Sequence, residues 1–260
     1  NQAPPLHWQP AYPEKRVSKA YRPPVIGVVR DSAFQFYYPE NLEALEKRGA
    51  RLLTINALRD SALPELDALY IGGGFPETHA EQLAANGQLR KELRSAIEAG
   101  LPVYAECGGL MYLGRNLEIR GNTYPMVEAL PIDFRLEKKP QGHGYTEVEV
   151  VNTNPFYPVG TTLKGHEFHY SRVTRLDLGS ESLAFAMRRG SGILDRKDGV
   201  CYKNILATYS HVHAIGTPEW AEGLIRRALA YQRELRDNTK GKKRKMDHWS
   251  TSTGVGDGVR

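Results

Sequence analysis

Short, wholly apolar runs alternate with amphipathic stretches through the first half of the chain. VIGVV (25–29) is apolar at every position, as a strand buried on both faces requires. PENLEALEKRG (39–49) predicts a helix, with Pro39 in its first turn and Gly49 past its end, and RLLTI (51–55) predicts the next strand. DALYIGG (67–73) is a third strand running into glycine. Residues 78–100 have helical composition and end on Gly100, and Asn86-Gly87 breaks them into two helices. LPVYA (101–105) is a fourth strand that runs straight into Glu106-Cys107-Gly108-Gly109. From 143 to 210 the pattern becomes alternating, as in YTEVEVV, with Gly and Asn turns between segments, which predicts added antiparallel strands. NILATYSHVH (204–213) closes as one strand and residues 218–235 as an amphipathic helix. The expected architecture is α/β: a mostly parallel sheet with helices on both faces, extended by antiparallel strands.

Composition narrows the function classes. The chain has 260 residues, 40% apolar, with 35 Lys+Arg against 30 Asp+Glu. Seven Lys/Arg and three Asp fall in residues 236–260, giving +4 of the net +5, so the body of the chain is nearly neutral and predicts no nucleic-acid partner. That basic tail has almost no aliphatic residues and is expected to be disordered. Residues 1–24 hold six of the 16 prolines and begin at Asn1, the composition of a linker with something before it. The expected globular domain is residues 25–235. No window approaches the roughly 18 apolar residues of a membrane span, and two cysteines form no disulfide framework, so the expected setting is cytoplasmic.

Cys107 carries the strongest chemical signal. A Cys at the end of a buried strand, followed by two glycines and a helix, has the setting of a nucleophile elbow, although its glycine spacing differs from G-x-S-x-G. The helix N-terminus behind it favours a thiolate. Cys201 in GVCYKN lacks that setting. A thiolate attacking an acyl carbon needs a partner that protonates the leaving group, and His211 and His213 stand on or just after the last strand, spaced to share a face. A zinc cluster of those two with His166 and His169 is the competing reading. HEFH is one residue short of H-E-x-x-H and lies among strand-like residues, so no metal site is assigned. The glycines of GGGFPE (72–77), Gly73 and Gly74 among them, emerge at the same sheet edge, and with Gly108 they offer N–H groups to an oxyanion.

DSAFQFYYPENLEAL (31–45), LYIGGGFPE (69–77), VYAECGGLMYLG (103–114), GHEFHYS (165–171) and ATYSHVH (207–213) together resemble the glutamine amidotransferase domain of the cobyrinic acid a,c-diamide synthases, within the CobB/CobQ-like class I family. The resemblance spans about residues 25–235 and implies a flavodoxin-like, triad-type glutaminase. Cys107 then attacks the glutamine side-chain amide, and His211, after Tyr209-Ser210, corresponds to the base. Many class I relatives have His-x-Glu where this chain has His-x-His, which leaves Glu167 and Glu106 as candidates for the third member and His213 as a supporting residue. The resemblance also implies an ATP- and magnesium-using synthetase domain or subunit that binds the tetrapyrrole and receives the ammonia. No G-x-x-x-x-G-K-[ST] loop occurs in this chain, so no cofactor is expected within it. A cysteine hydrolase acting on another amide would use the same Cys107/His211 pair, and a non-catalytic binding module would need neither.

Overall fold

The computed structural model describes residues 22–252, with side chains described to residue 238. The Pro-rich segment up to residue 21 and the end of the basic tail lie outside the described residues.

The first half folds as its pattern predicts. β1 (Val25–Val29), α1 (Pro39–Lys47), β2 (Arg51–Ile55) and β3 (Ala68–Ile71) follow in order. A 3-10 turn (Pro76–His79) leads into α2 (Ala80–Ala85), α3 (Gly87–Glu98), β4 (Val103–Glu106) and the short α4 (Gly108–Leu113). Asn86 separates α2 from α3: its side-chain oxygen accepts from the Leu89 amide as an N-cap, and its Nδ2 donates to the carbonyls of Ala57 and Asp60.

Strands dominate thereafter: β5 (Asn116–Ile119), β6 (Asn122–Pro125), β7 (Ile132–Leu136), β8 (Gly142–Val150), β9 (Thr162–His169), β10 (Ser171–Leu176), β11 (Leu183–Arg189), β12 (Lys197–Tyr202), β13 (Ile205–Thr208) and β14 (His211–Val212). α5 (Glu219–Ser252) follows. The ten-stranded sheet has the order β14-β9-β8-β11-β12-β13-β4-β3-β1-β2. From β2 to β13 every pairing is parallel, and from β13 to β14 every pairing is antiparallel. A second sheet, β10-β7-β5-β6, lies beyond α4. The β5–β6 hairpin turns on Arg120 and Gly121, both at positive φ.

Alternation along the buried strands feeds two cores. Leu69, Ile71, Val103 and Ala105 face α2, α3, α4 and the small sheet, while Ala68, Tyr70 and Tyr104 face α1 and α5, where Trp220, Leu224 and Ala228 pack. Asp67, fully buried before β3, accepts from Arg22, the Val25 amide and Gln232, tying the start of β1 to α5.

Two features differ from the sequence reading. The single strand expected over 204–213 is two: β13 lies in the middle of the large sheet and β14 at its edge. The break at Tyr209-Ser210 is made by buried Asp198, whose carboxylate accepts from the hydroxyls of Thr208 and Ser210 and from the amides of Tyr209 and Ser210. The antiparallel half therefore curls back over the parallel half, and β14 returns to the C-terminal end of β4. The second difference is α5, which continues helical to Ser252, into the run expected to be disordered from 236. Lys and Arg are good helix formers, and extending a helix already nucleated by its packed first half costs little.

Candidate functional site

The C-terminal ends of β1, β3, β4 and β13 share one edge, where open α/β sheets bind ligands. Cys107 sits at the end of β4 with φ 44° and ψ −94°, a positive φ that costs a non-glycine residue energy. Its backbone is held there from both sides, since its N–H donates to the Thr208 carbonyl (2.8 Å) and its carbonyl accepts from Met111 (3.1 Å). The side chain is 5% exposed, and Sγ lies 3.7 Å from the Phe168 carbonyl.

His211 reaches the same point from β14, close enough for its imidazole to interact with the Cys107 sulfur. Its Nδ1 is 3.3 Å from Glu106 Oε2, which leaves Nε2 for the sulfur. Buried Glu106 also accepts from the Tyr70 hydroxyl (3.1 Å) and the Val212 amide (3.3 Å). Burial pulls the His211 pKa down, but hydrogen bonds and charge from Cys107 and Glu106 outweigh it and raise the value to about 10. These contacts favour the protonated form of His211. Burial pushes the Cys201 thiol up to about 12, the opposite of a reactive cysteine.

The glycine segment is placed with care around this pair. A Cβ on Gly73 would stand 2.4 Å from His211 Cε1, so only glycine leaves room for the ring. The Gly73 amide is not a free donor, because it donates to the Phe36 carbonyl (3.2 Å), correcting its expected place in the oxyanion set. The amides of Gly74 and Gly108 have no acceptor among the hydrogen bonds of the described residues. A Cβ on Gly108 would stand 3.1 Å from the Gly74 nitrogen, so the two amides are neighbours.

The other expected residues lie elsewhere. Glu167 accepts from the amides of Ser191 (2.6 Å) and Gly192 (3.0 Å), and among the described residues its imidazole contact is His169 at 3.7 Å, so the structure brings Glu106 and not Glu167 to His211. His213 lies past the end of β14, 3.5 Å from Glu40 and against the Tyr38 ring. His169 stacks on Tyr209 and His166 on His211, so the imidazoles do not converge. Among the described residues no group of three His, Cys, Asp or Glu is arranged to hold a metal ion. No helix among them is long and apolar enough to cross a membrane.

Several residues of the site were not singled out from the sequence. Buried Asn41 of α1 donates to the Val212 carbonyl (2.8 Å) and accepts from the Ala214 amide (2.7 Å), fixing the backbone on both sides of His213. Asp198 and Tyr70 act as described above.

The parallel sheet extended by antiparallel strands, with Cys107 at its C-terminal edge, has the fold of the glutamine amidotransferases. A solved glutamine amidotransferase superposes with a TM-score of 0.56 over 78% of this chain and 98% of its own, at 21% identity. The chain belongs to the family of CobB/CobQ-like glutamine amidotransferase domains, whose pattern matches residues 25–218. It is 43% identical over 217 residues to the cobyrinate a,c-diamide synthase of Magnetococcus marinus, covering 84% of this chain and 46% of that protein. It is also 43% identical over 204 residues to the synthase of the same name from Archaeoglobus fulgidus, covering 78% and 44%. The chain thus spans a little under half the length of these relatives.

Proposed function

We propose that the chain releases ammonia from glutamine at Cys107 and passes it to an ATP-dependent half that amidates the a and c carboxylates of cobyrinate, in cobalamin biosynthesis. The observation that carries the reading is the line Cys107–His211–Glu106 beneath two unspent amides. The Cys107 thiolate attacks the side-chain amide carbon, and the N–H groups of Gly74 and Gly108 receive the charge that develops on the carbonyl oxygen. His211 gives its Nε2 proton to the departing nitrogen, so ammonia leaves and a glutamyl thioester remains. The now neutral imidazole takes a proton from water as the water oxygen attacks the thioester carbon. Glutamate departs, and the thiolate–imidazolium pair is restored. Glu106 keeps Nδ1 protonated and the ring in plane throughout.

Support for the second half of the reading comes from the length of the relatives and from the rim of the site. Phe36, Phe75, Phe168 and Tyr170 are all exposed. Phe36 touches the His211 ring (centroids 4.8 Å), Phe75 follows Gly74, and the Phe168 carbonyl meets the Cys107 sulfur. An apolar collar of this kind suits a protein surface that shields ammonia from water. ATP and magnesium belong, in this reading, to the other half.

A glutamine analogue bearing an electrophile tests the chemistry. It should label Cys107 alone, and Cys107→Ala should abolish both labelling and ammonia release. Label found on Cys201, or hydrolysis surviving in Cys107→Ala, rejects the assignment.

A further inference from the structure

The GHEFHYS segment contributes more to the site than strand pairing. His166 is the direct cross-strand partner of His211 in the β9–β14 ladder. Their rings stack, with centroids 4.9 Å apart and planes 23° from parallel. Phe36 stands edge-on to both, at 5.6 Å from His166 and 4.8 Å from His211. The Tyr38 hydroxyl is 3.1 Å from His166 Nδ1 and tethers the ring from the far side. The backbone beneath is drawn close, since a Cβ on Gly165 would stand 2.1 Å from the His211 carbonyl oxygen. We infer that His166 is a positioning residue: its ring, held by Tyr38, fixes the plane of the His211 imidazole so that Nε2 stays on Cys107 while Nδ1 stays on Glu106.

This inference rests on the glutaminase reading and adds a residue to it. The plane of a histidine ring is free to turn about its last side-chain bond unless something lies on its faces, and the Glu106 contact at 3.3 Å is long for a hydrogen bond. A neutral aromatic face is a favourable neighbour for an imidazolium, and a charged one is not. Burial, and then the positive charge on His211, push His166 down to about 4, so at neutral pH it presents the neutral face. The titratable groups around the pair are Cys107 and Glu106 on β4, Tyr70 behind Glu106, Tyr38 before α1, and Tyr145 opposite His166 on β8. An aliphatic side chain at 166 would fill space but would not accept the Tyr38 hydroxyl.

The test uses the full chain with His166→Ala, His166→Phe and Tyr38→Phe, and two readouts. One is the pH profile of Cys107 alkylation by iodoacetamide, followed by peptide mass, which needs no turnover. The other is kcat and KM for glutamine hydrolysis. For His166→Ala we expect kcat to fall about tenfold or more with KM nearly unchanged, and the alkylation midpoint to rise by about one pH unit as the imidazolium partner swings away. His166→Phe, which keeps a ring at stacking distance, should recover most of both losses, and Tyr38→Phe should fall between. Wild-type alkylation and kcat in His166→Ala overturn the inference. So does a fall in Tm and activity shared by the Ala and Phe variants with an unmoved alkylation profile, because that describes a packing residue. Failure of the glutaminase reading looks different: wild type releases no ammonia, while the alkylation profiles still order the variants.

Discussion

At Glu106 the carboxylate accepts from Tyr70, Val212 and His211, whereas at Glu167 it accepts from two amides of the 191–192 turn. The sequence offered both as acids near an imidazole, and only the fold separates them, because their donors come from strands distant in the chain. The His211 pKa of about 10 has a consequence for stability. A folded value above the ordinary 6.5 places the stabilisation fully below 6.5 and withdraws it as pH climbs through about 10. Tm should therefore decline between neutral pH and pH 10, and in Glu106→Gln the decline should start at the same pH but level off at lower pH and be smaller overall. Calorimetry across that range checks it, and parallel curves would remove Glu106 from the interaction. The two neighbouring histidines divide in the same terms. His211→Ala should slow glutamine hydrolysis by a factor of about a hundred or more, as loss of a general acid–base does, and should also slow Cys107 alkylation near neutral pH. His213→Ala, which breaks a pair with Glu40, should leave alkylation almost unchanged. The reverse order would move the proton-transfer role to His213.

The elements of the first half were legible because each carries its own signal: unbroken apolar runs for β1 and β3, mostly apolar ones for β2 and β4, Pro39 at the start of α1, Asn86 between α2 and α3. The elbow was legible for the same reason. β5 to β7 were not, since they are short, partly exposed strands, the β5–β6 turn is Arg-Gly rather than Asn-Gly, and the pairing of β7 with β10 is non-local. The split of β13 from β14 was hidden because it is imposed by Asp198, outside the segment it breaks. At the elbow itself the local cost is measurable. Cys107→Gly accepts φ 44° freely while Cys107→Ala keeps the strain, and both lose the sulfur. The glycine variant should be more stable than the alanine variant by about 1 kcal/mol, the reverse of the usual order within a strand or helix. Denaturant titration of the two inactive variants decides this, and a more stable alanine variant would show that the turn carries no strain.

Across the whole molecule, the reacting groups are drawn from the middle and from one edge of the strand order. Cys107 and Glu106 belong to the buried middle of the large sheet, and His211 to a two-residue strand at its edge. Exposed Phe36 lies against the His211 ring at this junction, and exposed Phe75 follows Gly74. With an amidating half supplied, Phe75→Asp should lower amide formation several-fold and leave glutamine hydrolysis by the separate chain unchanged; equal loss in both would place Phe75 in the hydrolytic site instead. The edge position of β14 has a further outcome for how the protein loses function. Strand margins with few ladder bonds detach in sub-global openings that leave the centre of a sheet intact. Amide hydrogens of Val212 and its neighbours should exchange with deuterium well ahead of those in β3 and β4. Rising urea should then silence the thiol before tryptophan fluorescence reports any melting around Trp220, so that Cys107 reactivity becomes a gauge of edge detachment in a body that is still folded.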